Sequence, residues 1–467
     1  MKRILFISIS FLTFLSLLAE AQAPADANAN KPSEIVVTPY KTTMIADGKD
    51  SALIKISVIN KQGRVITDAT NLIHFTITGD AKITIITNGN DVAHNPGTTL
   101  QENLYNGQIR IILQAGRNRG GVKLDATSDS LATASTEIHT VQPGMPHPVA
   151  TGAPIAGIAK ITDKIIGADI SFLPQLEDRE RKFYDKNGQQ ADVLKILRDH
   201  GFNYIRLRIF DHPELAKAGY SPGRGFCDLA HTKQMAKRIK AAGMKLLLDF
   251  HYSDTWADPQ RQNTPVAWGN LDFNTLKDSV YTYTKNVMQA LKDQGTVPEM
   301  VQIGNEINHG MLWPDGEINN LDSLSTLIYA GIRGAKEINP SVIIMLHIAL
   351  GGQNDEARFF IDNMLSRKVP FDVIGLSYYP KWHGTLDDLK NNMTDLAKRY
   401  NKYVMVAEYS QLKQEVNDIA FTAPGNKALG TFIWEPLNSW ESFFDKSGKI
   451  NATLEVYPPI AKKYNVK

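Results

Sequence analysis

The chain has 467 residues, 43% of them apolar and 21% charged, with a formal net charge of +2. That length exceeds one ordinary core and suits a large barrel plus a smaller module, and the balance excludes a disordered chain. The near-neutral charge excludes an electrostatic footprint for nucleic acid or an anionic membrane.

Residues 1–23 open with MKR, continue through ILFISISFLTFLSLLA and end in AEAQA. A basic start, an apolar stretch short of a bilayer span and small residues at cleavage spacing predict a removable secretory signal, cut after Ala21 or Ala23. Its loss takes away Lys2, Arg3 and Glu20, so the net charge falls to +1. The exported chain, periplasmic or extracellular, is expected to keep no membrane span. Its single cysteine, Cys227, has no intrachain partner, so stability must come from packing.

From 33 to 142 short alternating segments follow one another: ALIKISVIN, NLIHFTIT, AKITIIT, GQIRIILQA, GVKLDATS and TASTEIHTV. In the first of them Ile54, Ile56 and Val58 share one face, while Lys55 and Ser57 share the other, which predicts a half-buried strand. Turn signals at NKQG (60–63) and TNGN (87–90) separate the segments and favour an all-β sandwich. ADGKDSALIKISVINKQGRVITDA resembles the bacterial immunoglobulin-like modules attached to secreted glycoside hydrolases. With no cluster of exposed aromatics to hold sugar, this module is expected to act as a spacer or docking unit. Residues 143–160, rich in Pro, Gly and Ala and without periodicity, read as a linker.

From 161 to 467 the pattern changes to apolar runs separated by helix-compatible stretches: IIGADIS, YIRLRIF, KLLLDFH, MVQIGNE, VIIMLHI, DVIGLSYY, YVMVAEY and LGTFIWE. Eight such units predict an α/β fold, a (β/α)₈ TIM barrel preceded by the small immunoglobulin-like sandwich. Each run carries its polar groups at the C-terminal end, where barrels build their sites. A doubly wound sheet is the other architecture considered, but no G-x-G-x-x-G follows the first strand.

Two of those strand ends carry glutamates, Glu306 after MVQIGN and Glu408 after YVMVA. Either one alone could be a structural ion-pair member; two at one barrel mouth suit hydrolysis of a glycosidic bond, which needs two carboxyls across one sugar. Trp256, Trp313, Trp382 and Trp434 all follow strand candidates and offer flat apolar faces to sugar rings, with Asn, Asp and His nearby for the hydroxyl rim. His251, with His309 and His347, also admits a metal reading, but no H-x-H occurs in the first strand candidate.

AAGMKLLLDFHYSDTWADP (241–259), VQIGNEINHGMLWPDG (301–316) and FDVIGLSYYPKWHGTLDDL (371–389) closely resemble glycoside hydrolase family 53, the endo-β-1,4-galactanases. GADISFLPQLED (167–178) and LHIALGGQND (346–355) extend the likeness over roughly 161–460. The resemblance implies a secreted enzyme that hydrolyses the β-1,4-galactan side chains of pectin (type I arabinogalactan) with retention, through a covalent glycosyl-enzyme. It makes Glu306 the acid/base and Glu408 the nucleophile, gives Asn305 the hydroxyl beside the anomeric centre, and places His251 in the site wall. Arg208, ending YIRLRIF, is preferred over the deeper Arg206 as the cation that keeps Glu408 charged. Asp254, Tyr378 and the four tryptophans are expected to contact substrate, Tyr378 or its neighbour Tyr379 by bonding the nucleophile or the sugar.

A monomer with no required cofactor and no metal is expected. Calcium is doubtful, because AEYSQLKQEVND departs from the family's seventh-strand continuation and makes a short connection. Another retaining barrel glycosidase such as a mannanase, or a non-catalytic glycan-binding protein, remains open.

Overall fold

The computed structural model describes residues 31–90, 93, 95, 96, 99–129, 131–141, 160–216, 225–439 and 441–467. The expected signal 1–23 and residues 143–159 of the expected linker lie outside the described residues. Among the described residues no helix is long and apolar enough to cross a membrane.

Among the described residues the N-terminal part forms nine strands: β1 (Glu34–Pro39), β2 (Thr43–Ile45), β3 (Ser51–Ile59), β4 (Leu72–Thr78), β5 (Ala81–Thr87), β6 (Gln101–Asn103), β7 (Gln108–Ala115), β8 (Gly120–Ser128) and β9 (Leu131–Val141). One layer runs β5-β7-β3-β1 and the other β6-β4-β8-β9, with β2 added to β9; the parallel pair Glu34↔Ala132 joins them. Ile54, Ile56 and Val58 face Ile73, Leu124 and Ile138 across the core, as period-two alternation requires. Strands β2 and β6 are too short to show a period, and β1 is buried along nearly all its length, so its alternation is masked.

The expected solvent face of β3 is not solvent-exposed. Lys55 is 6% exposed and Ser57 fully buried. The barrel covers this face: Lys55 Nζ donates to Asp388, and the short helix Pro380–His383 packs against β1 and β9. The half-buried pattern thus marks a strand with apolar neighbours on one side and a docked domain on the other.

The remainder closes into a parallel barrel of β10 (Ile165–Asp169), β11 (Tyr204–Ile209), β12 (Lys245–Phe250), β13 (Met300–Ile303), β14 (Ile343–Ile348), β15 (Val373–Tyr378), β16 (Tyr403–Tyr409) and β17 (Ala428–Trp434), with β10 pairing β17. All eight apolar runs became strands. The helices between them start on side-chain caps, Asp228 for Leu229–Ala241 and Asp272 for Phe273–Asp293. Gly243 and Gly295 follow these two helices at φ of 71° and 78°, the left-handed turn that stops a helix cheaply only for glycine.

Outward strand residues pack on the helices, while Ile165, Tyr204, Leu247, Met300, Met345, Val373 and Phe432 plug the barrel interior. Each such fully buried apolar side chain contributes on the order of 1.5–3 kcal/mol. That apolar plug supports everything above it, because the next inward position on β11, β12, β13 and β14 is polar: Arg206, Asp249, Gln302 and His347.

Candidate active site

The polar layer is organised around Arg206, which is 1% exposed. Its guanidinium donates to Glu408 Oε2 at 2.9 Å, Asp249 Oδ2 at 2.8 Å and Asn305 Oδ1 at 2.7 Å. Burial by itself pulls its pKa down, yet the charges of Asp249, Glu408 and Asp169 together hold it above its ordinary value. A cation is thereby locked against one oxygen of Glu408. The other oxygen, Oε1, accepts the Tyr379 hydroxyl at 2.9 Å.

Glu408 owes its aim to an irregularity of its strand. Leu376 pairs with Val406, but the next residue, Ser377, pairs with Glu408, so β16 carries one extra residue there. Such a bulge redirects a side chain at a barrel rim. Glu306 is turned differently. Strand β13 ends at Ile303, and Glu306 sits at φ 52°, a left-handed conformation costing roughly 1–3 kcal/mol for a residue with a side chain. One carboxyl oxygen of Glu306 then lies within 4.8 Å of one of Glu408.

Burial first, and then the negative charge of Glu408, push the Glu306 carboxyl well above its ordinary range. Hydrogen-bond accounting leads to the same protonation state. Asn305 Oδ1 already accepts from Arg206 and Gln302, so His347 Nδ1, 2.9 Å away, must carry a hydrogen toward it. Burial and the Arg206 charge hold His347 well below its ordinary pKa, so the ring is neutral and its Nε2 must accept. Ser377 Oγ lies 2.9 Å from that nitrogen and 2.5 Å from Glu306 Oε1. While Glu306 is ionised, Ser377 donates to it and leaves Nε2 facing an oxygen. Once protonated, Glu306 donates to Ser377, Ser377 donates to His347, and every member of the row is satisfied.

Glu306, His347 and Glu408 each bring one atom of metal-ligating type within 4.8 Å of the others, but both nitrogens of His347 are taken up by this row. The histidines weighed for metal from the sequence are engaged separately. His251 accepts from Ala257 N at 2.9 Å and therefore donates through Nε2 to Asp249 at 3.1 Å; His309 bonds Pro259 O and Thr42 Oγ1.

Above the pair opens a cavity of about 580 Å³, to which Arg208, His251, Trp256, Asn305, Trp382 and Trp434 contribute walls. Trp382 is 46% exposed, unusual for so large an apolar ring and suited to a partner that covers it. Asn305 Nδ2 donates to Ala257 O at 2.8 Å and keeps its second hydrogen for a ligand.

Four expectations need correction. Arg208 does not reach Glu408; it pairs with Glu435 at 2.8 Å and lies against the rings of Phe172 and Trp256. Both arginines point inward, so side-chain alternation could not separate them; the stagger between strands did. Tyr378 is 1% exposed and donates to Gly384 O, outside the cavity, while Tyr379 lines it. Here period two held the answer, since Val373, Ser377 and Tyr379 share one face. Asp254 accepts the backbone N–H groups of His212 and Val266 and so ties two loops together, and Trp313 donates Nε1 to His309 O; neither lines the cavity. Sequence reading also passed over Ser377 and Asp249, which bond Glu306 and Arg206, and a group from the N-terminal sandwich, Thr42, Glu137 and His139 among them, which lines the same cavity.

A closed parallel barrel holding two facing carboxyls at its C-terminal mouth, one favoured protonated and one against a cation, defines a glycoside hydrolase. The model of glycosyl hydrolase family 53 matches residues 165–422, and the chain belongs to that family. The model of glycoside hydrolase family 2 C-terminal domain 5 matches 35–137, the sandwich. An uncharacterised protein of Niallia circulans is 43% identical over 252 residues, 52% of this chain and 66% of that one. The endo-β-1,4-galactanase of Bacillus subtilis strain 168 is 35% identical over 305 residues, 59% of this chain and 70% of that one. Among solved structures, the family 53 catalytic domain of Ignisphaera aggregans superposes with a TM-score of 0.60 at 34% identity, covering 67% of this chain and 99% of its own.

Proposed function

We propose that this chain is a secreted, monomeric, cofactor-independent endo-β-1,4-galactanase that cleaves the galactan side chains of pectin with retention. The observation that carries the mechanism is the Glu306–Glu408 pair, with oxygens within 4.8 Å. Retaining enzymes place their carboxyls about 5–5.5 Å apart, too close for a water molecule between sugar and base. The substrate rests on the galactanases among its relatives, such as that of Bacillus subtilis, and secretion on the reading of residues 1–23.

In the first step Glu408 attacks the anomeric carbon while Glu306 gives its proton to the departing oxygen, leaving a galactosyl ester on Glu408. In the second, Glu306, now ionised, takes a proton from water, the hydroxide oxygen bonds to the anomeric carbon, and the ester bond breaks to free Glu408. Arg206 and Tyr379 hold the two Glu408 oxygens in place for both steps. Asn305 has one hydrogen free for the neighbouring sugar hydroxyl.

Purified protein incubated with pectic galactan is expected to lower viscosity faster than it releases reducing ends to completion, with the β-anomer appearing first by proton NMR. Activity on mannan or cellulose in place of galactan overturns the substrate, and first appearance of the α-anomer overturns the covalent route.

A further inference from the structure

We infer that the sandwich is part of the substrate cleft, and that Lys123, Ser135 and Glu137 form subsites for the sugars on the leaving-group side of the bond. This rests on the proposed hydrolysis at Glu306 and Glu408. The cavity containing those carboxyls continues without interruption onto the sandwich, and these three residues line it.

The wall is anchored. Thr42 Oγ1 donates to Glu356 Oε1 at 2.8 Å and meets His309 Nε2 at 2.9 Å, and the His139 and His309 rings pack edge to face at 4.9 Å. Gln260 Nε2 donates to Glu137 Oε2 at 3.2 Å from the barrel side. Buried Lys55 and Asp388 pin the far end of the same interface.

Its position decides which part of the substrate it meets. His309 ends the short helix Ile307–His309 that begins directly after Glu306, so the sandwich abuts the loop of the proton donor. An acid must stand beside the oxygen that it protonates, and that oxygen leaves with the departing sugar. Trp434 and Arg208, on β17 and β11, line the cavity away from this loop. A chain spanning the pair therefore runs its departing portion toward β8 and β9. Lys123 and Glu137 are register partners on those strands, and Ser135 shares their face two residues before Glu137. Alternating donors and acceptors at this spacing suit the hydroxyls of a neutral oligosaccharide.

The test compares wild type with a chain carrying Lys123→Ala, Ser135→Ala and Glu137→Ala together, all strand positions outside the sandwich core. Two substrates share the same sugars before the bond, one followed by further β-1,4-linked sugars and one by a nitrophenyl group. They are built from whichever β-1,4-glycan the wild type cleaves, so a substrate other than galactan overturns the proposed function and still tests the wall. We expect kcat/KM to fall about tenfold or more on the oligosaccharide, as for loss of one or more hydrogen bonds, while the nitrophenyl substrate keeps its value. Equal losses on both substrates, or no loss on either, overturn the inference.

Discussion

Arg206 donates to Glu408 at 2.9 Å from a position only 1% exposed, while Arg208, two residues later on the same strand face, turns to Glu435 instead. Arg206 also holds Asp249 and Asn305, so one guanidinium ties β11 to β12, to the end of β13 and to β16.

Replacing Arg206 by Met leaves Glu408 and Asp249 as buried charges without their cation. Removing one member of such a cluster costs about 3–5 kcal/mol, which urea unfolding will register. Arg206→Lys retains the charge but cannot reach all three partners from one planar fork. It is expected to fold and to lose kcat far more than KM. An Arg206→Lys enzyme with wild-type turnover contradicts this role.

Glu408→Gln removes the negative charge facing Glu306. The Glu306 pKa, read by carbon-13 NMR of labelled carboxyls, is expected to fall toward the ordinary range but to stay above it. Burial is the larger cause of the rise, and it survives the substitution. An unchanged value means that the two carboxyls do not sense each other.

Glu306 also costs the fold stability in a definite pH window. Below the unfolded-state pKa, near 4.5, both states hold the proton and nothing is lost. As pH rises from there through the raised folded-state value, the unfolded chain sheds a proton that the folded chain retains, so stability declines. Each unit of the rise is worth about 1.4 kcal/mol. Glu306→Gln escapes this decline. Its Tm advantage over wild type is expected to be near zero at pH 4 and several °C at pH 8, followed by calorimetry across that range.

Lys55→Met strips the cation from Asp388, whose side chain also caps the helix Leu386–Tyr400 through Thr385. Because Thr385 still satisfies part of that carboxylate, the loss is expected at the lower end of the buried-pair range, about 3 kcal/mol. It falls on the docking between sandwich and barrel. Hydrogen exchange in β1 and β3 should accelerate more than in β14, and uniform exchange in the three strands runs against the docked arrangement.

The amino-acid pattern was enough to reveal two modules, eight barrel strands and the two glutamates, because each follows from local physics. Alternation of apolar residues reports strands, helix caps and terminal glycines report boundaries, and a carboxylate at the end of an apolar run has few reasons to be there. Choosing between Arg206 and Arg208 required the stagger of strands around a closed barrel. The row from Asn305 through His347 and Ser377 to Glu306 joins β13, β14 and β15, and no periodicity within one strand encodes it. The buried outer face of β3 and the sandwich residues in the cleft came from docking of one module on the other, a contact between surfaces that each look like ordinary polar exterior when taken alone. Such relations depend on distances between segments up to 333 residues apart, and those distances exist only once the chain has closed on itself.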